Sequence, residues 1–222
     1  MFPKQLAFNT IIFDMDGVIT HTMPDHFRAW KTILKRHGIR VSHHDIYIRE
    51  GQKGRESVVE LFRKYNKKIS SINTHRLLKQ KEEFFKRIVK RRFIIGSRQF
   101  LRALYRQKFK LALVTGTSRP EMNRILPSSL CELFHVTVTG SDVKSGKPHP
   151  EPFLKAIKLL NSPVQKSIVI ENAPLGIRSA KSAGLKCIAL ETSLPRKYLS
   201  EADYTFSSFR ELKQKVNFVL EK

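Results

Sequence analysis

The chain has 222 residues, of which 41% are hydrophobic, so it is long enough for a large domain and too apolar for a disordered protein. No apolar run approaches the roughly 20 residues that a membrane-spanning helix needs, and the first ten residues lack the apolar core of a signal peptide. Two cysteines, Cys131 and Cys187, do not make a disulfide framework. We therefore expect a cytoplasmic protein with no membrane partner.

The charge is strongly basic, with 42 Lys and Arg against 19 Asp and Glu and a formal net charge of +23. Nucleic acid is the first partner to consider for such a chain. The excess is spread along the sequence, although residues 21–95 alone hold 20 basic and 7 acidic side chains. No zinc-finger spacing or aromatic RNA-binding pattern accompanies it. We interpret the charge as a solvated surface that could attract anionic substrates, with nucleic acid an unlikely partner and a monomer the expected state.

The first predicted element is a buried strand over residues 10–13, which ends at Asp14, Met15, Asp16 and Gly17. From about residue 24 to residue 92 apolar side chains recur at helical spacing, with no strong strand signal. The helical positions are Phe27, Trp30, Ile33 and Leu34, then Val58, Leu61, Phe62 and Tyr65, then Leu77, Leu78, Phe84, Phe85, Ile88 and Val89.

After Gly96, predicted helices alternate with short apolar strands at residues 111–115, 136–138, 167–170 and 186–190. A last short strand at 203–206 and a final helix to Leu220 complete the prediction. This alternation indicates an α/β fold with a doubly wound, Rossmann-like parallel sheet. We predict a core domain of residues 1–20 and 96–222, interrupted by an all-helical cap domain of residues 21–95.

Polar residues follow the best of these strands: Asp14 and Asp16 after the first, Thr115, Gly116 and Thr117 after the next, and Glu171 and Asn172 after the fourth. Ligands bind outside the carboxyl ends of strands in such sheets. Carboxylates there would bind a hard divalent cation, and Lys147 with a hydroxyl group would hold phosphate oxygens. Two carboxylates after an apolar strand would repel each other without a cation, so we favour a site over a simple turn.

These segments resemble the four motifs of the haloacid dehalogenase superfamily, in order and across the whole chain. The matching residues are Asp14 to Val18, Val114 to Thr117, Lys147 with Pro148, and Glu171 to Ile177. The helical insertion is similar to the cap of the first subfamily. Within it, residues 18–20 and 26–31 look most like β-phosphoglucomutase and related sugar-phosphate phosphatases.

The resemblance implies that Asp14 attacks phosphorus to form an aspartyl-phosphate and that Asp16 is the general acid and base. It implies that Thr115 and Lys147 stabilise the transferring group. Mg²⁺ would be held by Asp14, the Asp16 carbonyl and the fourth motif. That motif usually ends in two acids, whereas this chain has Glu171 and then Asn172, so either could be the main ligand there.

The resemblance also implies substrate contacts from Gly51, Arg55, Lys81 and His26 of the cap, beside Gly116 and Thr117 of the core. A helix-surface histidine is an equal alternative for His26, and a plain surface lysine is the favoured one for Lys81. The predicted function is a Mg²⁺-dependent phosphatase of small phosphorylated metabolites, such as sugar phosphates. The alternatives are a β-phosphoglucomutase and, more remotely, a nucleic-acid-binding protein on the same fold.

Overall fold

The computed structural model describes residues 3–221, and its centre is a six-stranded, fully parallel sheet. The spatial order of the strands is β4-β3-β2-β5-β6-β7. Their bounds are β2 (Thr10–Phe13), β3 (Lys110–Val114), β4 (Val136–Val138), β5 (Ser167–Glu171), β6 (Lys186–Leu190) and β7 (Tyr204–Phe206). The predicted fold class is confirmed.

Helices cover both faces of the sheet, because its central strands are apolar on both sides. In β2, Ile11 and Phe13 pack into one buried cluster and Ile12 into the other. The helices that follow the insertion are α5 (Ser97–Arg106), α6 (Arg119–Ile125), α7 (Ser128–Cys131), α8 (Glu151–Leu160), α9 (Pro174–Ser182) and α10 (Phe209–Lys215).

Four helices lie between β2 and α5, and we call them the cap helices. They are α1 (Met23–Lys35), α2 (His43–Tyr47), α3 (Gly54–Lys64) and α4 (Ser71–Ile88). They enclose a third buried cluster that includes Trp30, Leu61 and Leu77. Phe85 of α4 belongs instead to the buried cluster that includes Ile11 and Phe13 of β2. The domain boundaries at residues 20/21 and 95/96 stay a prediction.

The two linkers to the cap helices run side by side. Thr20 and Phe93 form an antiparallel bridge, and the amide of Ile94 donates to the carbonyl of Ile19 at 3.1 Å. The first linker is short, because α1 already begins at Met23 with a proline in its first turn.

The carboxyl-terminal part corrects the prediction of a helix that runs to Leu220. Helix α10 ends at Lys215, and residues Val216–Val219 form β8, which pairs in parallel with an unpredicted first strand, β1 (Lys4–Ala7). The physical reason is burial at every second position: Val216 and Phe218 are buried while Asn217 is exposed. Phe218 packs against Phe100, with ring centroids 5.8 Å apart.

The β8 strand generates a stability prediction. Phe218→Ala should lower the free energy of unfolding by about 3 kcal/mol, because it empties a buried aromatic site. Asn217→Ala, on the exposed face of the same strand, should change it by no more than about 0.5 kcal/mol. Urea unfolding of both variants measures the difference. Similar losses in the two variants would argue against the strand.

Candidate active site

The carboxyl ends of β2, β3 and β5 meet at one buried side chain, Lys147. Its Nζ donates to Asp14 Oδ1 and to Glu171 Oε1, each at 2.6 Å, and to the carbonyl of Val114 at 3.2 Å. The lysine is 1% exposed. The structure thus brings together three residues that the sequence placed in separate motifs.

The charges in this cluster depend on one another. Burial disfavours the ammonium of Lys147, but the carboxylates of Asp14 and Glu171 outweigh that effect and raise its pKa. For Asp14 burial is the larger influence, and it raises the pKa of this carboxyl well above its usual range despite Lys147. Loss of the lysine would leave the carboxyl groups of Asp14 and Glu171 buried without a cation.

Both carboxylate oxygens of Glu171 are already occupied. Oε1 accepts from Lys147, and Oε2 accepts from the amides of Asn172 and Ala173 at 2.8 and 3.2 Å. A side chain at Gly176 would collide with this carboxylate, which explains a glycine one turn into α9. Glu171 therefore positions Lys147, and each of its oxygens already accepts at least one hydrogen bond.

Asp16 is buried among hydroxyl groups and one histidine. Thr117 Oγ1 donates to its Oδ2 at 2.8 Å, Thr115 Oγ1 lies 3.4 Å from the same oxygen, and Thr22 Oγ1 donates to Oδ1. Burial alone would raise the pKa of Asp16, but His26 and the threonines outweigh it and lower the pKa to about 2. Thr22 was not among the predicted site residues.

His26 and Lys81 come from two cap helices and lie next to Asp16. His26 Nε2 is 3.6 Å from Asp16 Oδ1, its ring stacks on Phe85, and its Nδ1 lies 3.2 Å from Lys81 Nζ. Because an ammonium only donates, Nδ1 must accept, and the imidazole proton is then assigned to Nε2, facing Asp16.

The favoured alternative for Lys81, a plain surface lysine, is wrong. Lys81 is 5% exposed and its Nζ lies over the rings of Phe85 and Trp30, at 4.7 and 5.6 Å from their centroids. It is also 3.9 Å from Glu121 Oε1 on α6, a buried acid that the sequence did not reveal. The exposed-histidine alternative for His26 also fails, because only 12% of its side chain is exposed.

The remaining predicted contacts lie where the cap meets the core. Gly51 passes over Lys147, and a side chain at Gly116 would collide with the Gly51 backbone. Arg55 is exposed, and its Nη2 donates to Ser71 Oγ at 2.9 Å. A cavity of about 260 Å³ lies between the cap helices and the sheet edge, and its lining includes Gly51, Arg55, Gly116, Thr117, His26, Lys81 and Asp16. Its size suits a small ligand.

A carboxylate of the cap enters the core beside Asn172. Glu50 is 5% exposed, and its Oε1 accepts a hydrogen bond from Asn172 Nδ2 at 2.8 Å. Burial and the negative charge of Asp14 raise the pKa of Glu50 well above its usual range. Sequence reasoning missed Glu50, since it lies outside every motif and only the fold brings it to Asn172.

Three buried oxygens at this edge, Asp14 Oδ2, Glu50 Oε2 and Asn172 Oδ1, find no hydrogen-bond partner among residues 3–221. Carboxylate and amide oxygens are the ligands that hard divalent cations prefer, so these residues fit Mg²⁺. Within the described chain no three His, Cys, Asp or Glu side chains form a metal site by themselves. A cation here therefore needs amide or backbone oxygens as well.

Comparison with known proteins gives one family. The model of the haloacid dehalogenase-like hydrolases matches residues 11–190. A phosphorylated carbohydrates phosphatase of Thermotoga maritima is 34% identical over 181 residues, 80% of this chain and 82% of that protein. The β-phosphoglucomutase of Bacillus subtilis is 29% identical over 195 residues, 83% of this chain and 84% of that protein.

A solved structure has the same fold over nearly all of this chain. The crystal structure of a β-phosphoglucomutase from Clostridium difficile matches with a TM-score of 0.81 at 25% identity, and the match covers 94% of this chain and 96% of that one.

None of the helices within residues 3–221 combines the length and the apolar character needed to cross a bilayer.

The lysine cluster predicts a large effect on stability. Lys147→Met should lower the free energy of unfolding by about 3–5 kcal/mol at neutral pH, because Asp14 and Glu171 would stay buried without their cation. Lys144→Met, the same change at an exposed position three residues earlier, should have an effect within about 0.5 kcal/mol. Urea unfolding compares the two, and a loss below about 1 kcal/mol for Lys147→Met would contradict the buried ion pairs.

Proposed function

The chain belongs to the haloacid dehalogenase-like hydrolase family, and from this premise we propose that it is a Mg²⁺-dependent phosphatase of small sugar phosphates. The observation that carries the proposal is Lys147, buried between Asp14 and Glu171 and lying against Gly51, which lines the cavity. An ammonium at this place can hold the oxygens of a phosphoryl group against a carboxylate nucleophile.

In the first step, an oxygen of the Asp14 carboxylate bonds to phosphorus while the bond from phosphorus to the sugar oxygen breaks. The leaving oxygen takes its proton from the carboxyl of Asp16. In the second step, water attacks the aspartyl-phosphate and gives a proton back to Asp16, while inorganic phosphate leaves and Asp14 is restored. The proton that Asp16 gains in the second step balances the one that it gives up in the first.

The resting state of Asp16 fits the second step directly, because a carboxyl whose pKa is about 2 is ionised at neutral pH and can accept a proton. The first step needs the protonated form. A dianionic phosphate in the cavity places negative charge near Asp16 and so favours that form. His26, with its Nε2 proton directed at Asp16, orients the carboxylate between the two roles.

Lys147 and Thr115 are proposed to hold the equatorial oxygens of the transferring group. Mg²⁺ would be held by oxygens of Asp14, Asn172 and the Asp16 backbone, and would act as a Lewis acid on the phosphoryl group. Asn172 is preferred over Glu171 as the ligand from the fourth motif, since Asn172 Oδ1 has no hydrogen-bond partner in the described chain, whereas both oxygens of Glu171 already accept hydrogen bonds.

The substrate class rests on the cavity and on the relatives. The cap contributes four residues to the cavity lining, namely His26, Lys81, Gly51 and the exposed Arg55. Their N–H groups offer hydrogen-bond donors for sugar hydroxyl groups or for a second anionic group. The Thermotoga relative is a phosphatase of phosphorylated carbohydrates. Phosphate release from a panel of sugar phosphates, with Mg²⁺ and with EDTA, tests the proposal. No release from any of them would reject it.

A β-phosphoglucomutase is the second candidate, because His26 lies between the cap and Asp16, where it could assist transfer to a sugar hydroxyl. The segment Val114 to Arg119 argues against a mutase. In the mutases this motif resembles a run of small residues, serines and a lysine, whereas this chain has the sequence VTGTSR there. We expect free phosphate from β-glucose 1-phosphate, with Mg²⁺ and a trace of the bisphosphate, to appear faster than glucose 6-phosphate. The reverse order would favour the mutase.

The nucleophile gives a mutational prediction. Asp14→Asn should lower kcat at least about 10³-fold, because the nearly isosteric amide does not attack phosphorus. Substrate binding and the fold should persist, since Lys147 keeps Glu171 as a partner. Phosphate release measures the loss and circular dichroism controls for folding. Near-normal activity of the folded variant would exclude covalent catalysis by Asp14.

A further inference from the structure

Glu50 is a cap residue that reaches the core at the predicted metal motif. It follows α2 and places its carboxylate against Asn172, whose Nδ2 also donates to Ser193 Oγ at 2.8 Å. Gly17 makes the approach possible: its φ is +84°, and a side chain there would collide with both Asn172 and Glu50. The chain thus leaves room at the first motif for a carboxylate from another domain.

The carboxylate of Glu50 has no positive partner in the described part of the chain. Arg49, its neighbour in sequence, donates instead to Glu60 and to the Asp45 carbonyl, at 3.2 and 2.7 Å. Lys147 is occupied by Asp14 and Glu171. Glu50 Oε2 is left buried without a donor, a condition that is costly for an ionised group.

The buried groups around Glu50 carry more negative than positive charge, which favours the binding of a cation. Asp14, Asp16, Glu50 and Glu171 are four buried carboxylates, and Lys147 is the one buried lysine among residues 3–221 that contacts any of them. One oxygen each of Asp14, Glu50 and Asn172 is unpartnered. Two carboxylates and an amide make a ligand set of the hardness that a divalent cation requires.

We propose that Glu50 is a ligand of the same Mg²⁺ ion, supplied by the cap, and that it provides the second carboxylate that Asn172 lacks. The inference rests on the proposed function for the presence of the ion. Because Glu50 belongs to the cap and Asp14 and Asn172 to the core, the ion then binds the closed arrangement best. Cation binding and cap closure are coupled by the same free energy.

Calorimetric titration of the metal-free protein with Mg²⁺ tests the ligand role without any catalytic turnover. Glu50→Gln should weaken Mg²⁺ binding by about tenfold or more, because it removes one of the charged ligands. Glu56→Gln is the matched control: it makes the same change at an exposed position of α3 and should leave the affinity within about twofold.

The double variant Glu50→Gln/Asn172→Asp exchanges the two groups. It restores the number of carboxylates and keeps the hydrogen bond with donor and acceptor reversed, so its Mg²⁺ affinity should return to within about threefold of the wild type. Its carboxylates now all belong to the core. Mg²⁺ should therefore slow amide hydrogen exchange around Glu50 in the wild type, and this protection should be lost in the double variant.

The outcomes separate this inference from the proposed function. Wild-type protein that binds no Mg²⁺ would overturn both. Wild-type binding with an unchanged affinity in Glu50→Gln would overturn only the role of Glu50. A Glu50→Gln variant with normal Mg²⁺ affinity and a raised KM would assign Glu50 to the substrate instead. Protection by Mg²⁺ that persists in the double variant would reject the coupling to cap closure.

Discussion

A single buried ammonium group holds the ends of three strands in register with one another. Lys147 contacts the residue after β2, the last carbonyl of β3 and the last side chain of β5. Each contact alone would be a modest hydrogen bond, but the low dielectric of the interior makes every one of them costly to break. The positions of Asp14, of the hydroxyl groups after β3 and of the fourth motif therefore all depend on this side chain.

The distribution of charge is opposite on the surface and in the site. The chain carries +23 overall, yet its buried edge is acidic, with four buried carboxylates of which Lys147 contacts two. An anionic substrate is thus attracted toward the molecule by the surface and meets a site in which buried carboxylates outnumber Lys147 and Lys81 until a cation is present. The basic composition, which first indicated nucleic acid, is equally compatible with small anionic substrates.

The sequence predicted the central strands and their polar ends because fully buried strands are continuous apolar runs, and such runs are visible without tertiary information. It did not predict β1, or β8, whose alternating burial depends on the packing of Phe218 against Phe100 of α5. Lys81 was misjudged for a related reason: a lysine in a basic stretch looks solvated until two aromatic rings enclose it.

Glu50 is a site residue that sequence motifs do not predict. It lies more than 100 residues from Asn172 in the chain, and no local pattern marks it. Only the chain path through the cap brings the two together. By contrast Thr22 had a local signal, a hydroxyl just before a helix start and six residues after Asp16, but that signal is common to many helix N-termini.

The paired linkers have a consequence for the order of events in a catalytic cycle. Thr20 and Phe93 are bridged, so the two linkers form a short ribbon that can twist about one axis more readily than it can stretch. Thr22, which donates to Asp16, lies at the end of this ribbon. Because α1 also carries His26, a twist of this ribbon that moved α1 would carry both polar neighbours away from Asp16 at once. The linkers would thus tie the admission of a substrate to the surroundings of Asp16 without any residue of the sheet having to move.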